Sequence, residues 1–310
     1  MTQLFDIQHD VTDPKLKALT IHPRIAWPTL LWFAVTFIIW TASTVAALSN
    51  VWPVWLSVLI NTFMVFSFFT IIHDSVHRAI STHALLNESL GVISTLFYGP
   101  SVVYGLRAFR YLHMQHHLHT NEKTQDPDYW CAGHQPLRLI FSWFTLDLYY
   151  VYYYLKRWST RPKTEKAGLI LTLLFNWSLF AGLIYMGYGW MAFWLWLIPG
   201  RITVGLLGFT LDYLPHHPHR VTQTDNPYQA TSIRIGQEWL LTPLLMYHNY
   251  HLMHHLFPLA PFYRYRHIWL QGEALFLGHH PAMVSILSHP ISVDEYNARK
   301  IKPIMRPPTV

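Results

Sequence analysis

The chain has 310 residues, 52% of them hydrophobic and 16% aromatic against only 12% charged, a balance that suits a bilayer better than water. Its single cysteine, Cys131, excludes an intrachain disulfide and a cysteine-ligated iron–sulfur cluster or zinc ribbon, so a bound metal must be held by histidine or carboxylate. The formal charge of +6 is read as a collar facing anionic lipid headgroups, because nothing arranges these cations into a nucleic-acid-binding motif.

In chain order, residues 1–24 form a polar lead-in. Asp6, Asp10 and Asp13 precede any apolar run, the wrong pattern for a cleavable signal peptide. Four apolar stretches follow, at 25–48, 51–72, 167–187 and 189–213, each with the roughly 20 residues a spanning helix needs. They come in two pairs that meet around Ser49–Asn50 and around Tyr188, which predicts two tight hairpins. Apart from Arg201, every Lys and Arg lies in the lead-in, between Arg78 and Lys166, or from Arg220 onward, so both termini and the central stretch are expected on the cytoplasmic face. Arg201 itself should face the bundle interior, snorkel, or hold a carboxylate or headgroup.

Between the pairs, residues 90–106 are apolar but broken by Gly91, Gly99, Pro100 and Gly105, which favours an interfacial or re-entrant piece. Residues 107–119 read as a helix at the membrane surface, and 139–155, rich in Trp, Phe and Tyr, as one in-plane helix. Residues 225–234 read as loop, 239–246 as a second apolar run, and the tail after Pro258 as a wrap around the cytoplasmic part.

Histidines carry the chemistry. His251, His254 and His255 stand at i, i+3 and i+4, so one helical face presents three imidazoles to one point. His113, His116 and His117 repeat that spacing, and His73 and His77 form an i, i+4 pair. With the expected topology all three clusters meet on one membrane face, and one of the histidines in the run His216, His217, His219 is a candidate ninth member. A donor set of neutral imidazole suits zinc, copper, iron or nickel, and eight ligands exceed the needs of one ion. Two adjacent metals are the economical reading, and two irons could use dioxygen on an unactivated carbon where zinc could not. A metal transporter is the alternative from another class, but it predicts ionisable ligands within the spans, where almost none occur. Asp74 could accept from a ligand imidazole or be a solvated interfacial carboxylate, and the run Asp126, Pro127, Asp128 could bring carboxylates near the ligands or simply make a capped turn.

The ordered set HDSVH, HMQHH, DYLPH and NYHLMHHLFP resembles the membrane fatty acid desaturase family, including its carotenoid ring hydroxylase branch. The resemblance implies iron ligands at His73, His77, His113, His116, His117, His251, His254 and His255, with His216 ninth, and two iron ions as cofactor. It further implies support from Asp74, Asp128, Asp212, His248 and Asn249, with Asp212 standing where some members have Asn. The fold it implies is all-α and integral to the membrane. Four transmembrane helices in two hairpins carry a cytoplasmic metal-binding cap from 73–166 and 214–310, all within one domain over 1–310. The expected activity is dioxygen-dependent desaturation of a fatty acyl chain, or alternatively hydroxylation of a carotenoid ring. No heme segment, cysteine set or dinucleotide fingerprint is present, so electrons are expected from a partner such as a ferredoxin or a cytochrome b5-like carrier docking on the basic collar. The expected location is the inner or plasma membrane if the source is bacterial.

Overall fold

The computed structural model of the chain describes residues 11–101 and 105–301. The first ten residues of the lead-in, residues 102–104 of the expected re-entrant piece and the last nine of the tail lie outside the described residues. The fold is mostly helical. A short α1 (Pro14–Thr20), capped by Asp13, leads into α2 (Trp27–Leu48) and α3 (Val54–Val76). Then come α4 (Ala84–Leu96), α5 (Leu106–His119), α6 (Pro136–Phe144), α7 (Leu146–Lys156), α8 (Lys163–Tyr185) and α9 (Gly189–Tyr213).

Four of these, α2, α3, α8 and α9, are long and apolar enough to cross a membrane. Their burial divides them: the apolar windows of α3 and α9 are 67% and 56% buried, those of α2 and α8 only 17% and 11%. The inner pair, α3 and α9, therefore carries the load of packing and is the pair that leads into His73 and His216. Polar side chains on the long helices mostly turn inward and find partners there, as Ser57 does with the Ser43 carbonyl and Thr203 with the Thr62 carbonyl.

Helix α9 is not a regular α-helix. Pro199 has no N–H to give the carbonyl four residues back, at Leu195, and the turn Phe193–Leu197 widens to π geometry there. Asn61 of α3 donates its amide to that Leu195 carbonyl at 3.0 Å, so the proline is compensated by the neighbouring helix. A second π segment, Gly208–Tyr213, brings Asp212 toward the histidines. Gly205 and Gly208 let α6 lie directly on this helix: a Cβ there would stand 2.6 Å from the Phe144 ring and 2.8 Å from Trp143 Cα. Arg201 turns inward to a bidentate ion pair with the buried Asp147, at 2.6 and 3.2 Å. Nη1 and Nη2 also donate to the carbonyls of Ser101 and Phe144 respectively.

Several expectations are corrected. The second long helix continues to Val76 instead of ending at 72, so His73 and Asp74 sit inside its last turn; nothing breaks it before Arg78 adopts φ 57°. The expected single in-plane helix over 139–155 is two helices with a break at Thr145, where φ −121° and ψ 11° leave helical geometry. The chain is also not all-α. Ser232–Ile235 (β1), placed in the expected loop, pairs in parallel with Ala282–Ser285 (β2), register Ser232 to Ala282. Ile233 and Met283 are buried at paired positions of the two strands, with Ser232 and Arg234 buried beside Ile233. Arg234 holds the turn after β2 by donating to the Ser285 and Ile286 carbonyls. Helices α10 (Glu238–Leu244), α11 (His251–Leu256), α12 (Tyr265–Gly278) and α13 (Val293–Ile301) complete the described chain, with α12 packing on α1 through Leu16 and Gly272.

Candidate metal centre

The last turn of α3 supplies His73, and its C-cap supplies His77. That end would leave carbonyls without partners, and Arg110 of α5 supplies them, Nε donating to the Val76 carbonyl at 3.1 Å and Nη2 to the Ser75 carbonyl at 3.2 Å. Glu88 of α4 holds the same guanidinium at 2.5 Å. One arginine thus locks the helix bearing His113, His116 and His117 against the helix bearing His73. Helix α11 contributes His251, His254 and His255 after a sharp entry in which Tyr247 adopts φ 65°. His216 follows α9, where Ser232 of β1 anchors the Pro215 carbonyl.

All nine imidazoles converge, and none is more than 7% exposed. Two groups of four form, His73, His77, His113 and His254, and His116, His216, His251 and His255; His117 joins them by reaching His254 and His255. His254 Nε2 lies 3.0 Å from His73 Nε2 and 2.8 Å from His117 Nε2, which in turn lies 3.2 Å from His113 Nε2. In the other group His251 Nε2 is 3.1 Å from both His216 and His255, and His116 is 3.3 Å from His255. A neutral imidazole carries only one N–H, so converging Nε2 atoms cannot all be satisfied by each other, and His77 Nε2 has no hydrogen-bond partner at all. Adjacent nitrogens around one ion with metal–nitrogen bonds of about 2.1 Å at right angles stand about 3 Å apart, the spacing seen here. The donor set therefore fits two neighbouring divalent metals.

Electrostatics agree for all but one member. His77, His113, His117, His216, His251, His254 and His255 are pushed far below the usual imidazole value, first by burial and then by neighbouring imidazoles, which keeps them neutral and able to donate a lone pair. Burial also pulls His116 down, but the Asp128 and Asp126 carboxylates more than offset it and lift His116 to about 9.

The supporting residues fall out unevenly. Asp128 meets His116 Nδ1 at 3.2 Å and accepts from the Tyr150 hydroxyl at 2.6 Å. Asp212, one turn before His216 on the chain, lines the same cavity as Asp128. Asp74 is buried yet makes neither expected contact: it accepts from the Thr29 hydroxyl at 3.2 Å and the Phe262 N–H at 3.2 Å, tying α2 and the chain before α12 to the ligand helix. Asn249 donates to Thr242 and not to an imidazole. His248 packs edge-on to His73 with ring centroids 5.0 Å apart, but neither of its nitrogens has a hydrogen-bond partner.

One residue at the site was missed, and another, Asp126, was read only as part of a run that could bring carboxylates near the ligands or simply make a capped turn. Asp126 is the closer carboxylate to His116 Nδ1, at 2.9 Å, and it also accepts the Asn121 and Asp128 N–H groups; its signal was the Asp-Pro-Asp run itself. Tyr265 sets its hydroxyl 3.1 Å from His254 Nδ1, a pairing between separate elements that no local spacing announces. Beside His73, His113, His116 and His251 lies a cavity of about 30 Å³ with apolar walls from Phe69, Phe109, Leu146, Val204, Leu207 and Leu211.

Residues 49–286 match the family described as fatty acid desaturase. The chain is 28% identical over 219 residues to the dihydrorhizobitoxine desaturase of Bradyrhizobium elkanii, over 63% of this chain and 60% of that relative. It is 26% identical over 243 residues to the beta-carotene ketolase of Paracoccus sp. (strain N81106 / MBIC 01143), over 77% of this chain and 86% of that relative.

Proposed function

The chain belongs to the fatty acid desaturase family, an oxidoreductase family, and on that premise we propose that it is a membrane-bound di-iron enzyme that desaturates a fatty acyl chain with dioxygen and electrons from a separate carrier. The observation that carries this reading is the pair of four-histidine groups joined by His117. His73, His77, His113 and His254 hold one ion, His116, His216, His251 and His255 the other, and His117 lies between them. When bound, two irons supply the reduction of dioxygen and the removal of hydrogen from an unactivated carbon.

The protein's own part is to bind, orient and exclude water. Phe69, Phe109, Leu146 and Leu207 place an apolar wall against the imidazoles, where a methylene segment would lie; the present cavity holds about one small group, so these side chains part as the chain enters. Asp126, Asp128 and Tyr265 orient His116 and His254 through their Nδ1 atoms. The outward apolar faces of α2 and α8 support four spans, read as two hairpins, and the distribution of Lys and Arg supports the cap over 73–166 and 214–310 and both termini on the cytoplasmic side. A larger groove of about 560 Å³, lined by Trp40, Leu48, Leu183, Met191 and Trp196, lies at the opposite helix ends, away from the imidazoles.

For the electron carrier we propose a ferredoxin or cytochrome b5-like protein with an acidic face. Lys156, Arg157 and Arg161 are held over Tyr152, Tyr153 and Tyr111 beside α5, whose opposite side carries three of the histidines. A second reading, oxygenation of a carotenoid ring, is favoured by the beta-carotene ketolase likeness, which covers more of this chain than the other.

The test is metal content and Mössbauer spectroscopy of protein from iron-57-labelled cells, beside His254→Ala, with fatty acid and β-carotene products analysed in parallel. About two irons per chain, lost in the variant, with new unsaturation in the acyl chains, is expected. Zinc alone, or iron indifferent to His254, would overturn the di-iron reading, and oxygenated carotenoid with unchanged acyl chains would replace the substrate.

A further inference from the structure

The two halves of the histidine site are backed by different chemistry. Behind His116 stand two buried carboxylates, Asp126 at 2.9 Å and Asp128 at 3.2 Å from Nδ1. Asp212 lines the same cavity as Asp128. His116 belongs to the group with His216, His251 and His255.

The other group has no such backing. His254 Nδ1 meets a neutral phenol, Tyr265, and His73 Nδ1 has no partner. The carboxylate on that side, Asp74, is directed to Thr29 and the Phe262 N–H. Arg110, paired with Glu88, stands against the Val76 and Ser75 carbonyls beside His77 on this side.

A carboxylate that accepts the Nδ1–H of a ligand imidazole makes that ligand a stronger electron donor and favours the more highly charged metal, whereas a nearby cation does the reverse. Resting on the di-iron reading above, we infer that Asp126 and Asp128 make the two iron positions unequal, so that the ion held by His116, His216, His251 and His255 is the first of the two to give up an electron. Oxidation of the fully ferrous protein by one equivalent of ferricyanide then converts one Fe(II) to Fe(III) at that position, the electron leaving as ferrocyanide, and the His73 group keeps Fe(II).

The experiment uses the full chain in detergent, loaded with iron-57, reduced without oxygen and oxidised stepwise with ferricyanide under Mössbauer and EPR observation. Iron content tests the underlying reading separately: wild-type protein without about two irons per chain overturns that reading and this inference with it. Given two irons, the wild type is expected to oxidise in two one-electron steps with a mixed-valence EPR signal between them. Asp128→Asn should make the first step about tenfold less favourable and leave the second in place. Tyr150→Phe, which removes a hydrogen bond from Asp128 and keeps its charge, should move the first step the opposite way and serves if Asp128→Asn fails to accumulate. Simultaneous oxidation of both irons in the wild type, or equal movement of both steps in either variant, would overturn the inference.

Discussion

Arg201→Leu tests how a charge is accommodated within the helical bundle. In the wild type Arg201 gives two hydrogen bonds to Asp147 and one each to the Ser101 and Phe144 carbonyls. The Asp147 side chain is only 1% exposed, and burial, despite Arg201, already pushes its carboxyl above the usual range. Without Arg201 the carboxylate is stranded, and the protein can relieve this by binding a proton. From an ordinary value near 3.9 that costs about 4 kcal/mol at pH 7 and about 2 kcal/mol at pH 5.5, at about 1.4 kcal/mol per pH unit. The sign follows from linkage: a carboxyl raised in the folded state binds more protons folded than unfolded, so the variant loses stability as pH rises and regains it as pH falls. At about 2 °C per kcal/mol for a chain of this size, thermal unfolding followed by tryptophan fluorescence should show a loss of roughly 8 °C at pH 7 and roughly 4 °C at pH 5.5. Arg201→Leu with Asp147→Leu should recover most of it, because the stranded charge is gone. An Arg201→Leu deficit that is the same at both pH values, or absent, would refute the reasoning.

Tyr265→Phe removes the partner of His254 Nδ1 while keeping the ring, and metal affinity measured by chelator competition should fall 10- to 100-fold with little change in helicity. Asn61→Leu leaves the Leu195 carbonyl without a donor opposite Pro199, costing about 1–3 kcal/mol in a thermal unfolding assay. Gly208→Leu drives a side chain into the backbone at Trp143 and should lower the unfolding temperature and iron retention together, since the same segment brings Asp212 to Asp128. Gly182→Leu, where nothing lies within 4 Å, is the matched control and should change neither.

Local pattern was readable wherever a helix expresses it. The spacing of His113, His116 and His117, and of His251, His254 and His255, depends only on helical geometry, and the structure turns each triplet to one face. Apolar length likewise marked four long helices to within a few residues, because it needs no knowledge of neighbours. Partnership across the chain was not readable. Arg201 and Asp147 are 54 residues apart, Asp74 and Phe262 188, and no periodicity links either pair. The strands β1 and β2 are four residues each and pair across 50 positions, so neither shows a pattern strong enough to stand apart from loop.

By itself, then, the sequence determined that eight imidazoles in three clusters would be available at helical spacing near the ends of the apolar spans, with the ninth supplied by family resemblance, since helix spacing and hydrophobic length are local properties of the chain. Only the tertiary structure decided which of them share a group, that His117 lies between the two, and that, among the described residues, carboxylates reach a ligand imidazole nitrogen in one half alone. Those outcomes depend on how α5, α9 and α11 pack. Packing is set by the joint fit of distant surfaces, such as Arg110 against the end of α3 and Gly208 against Trp143, which no single stretch of residues contains.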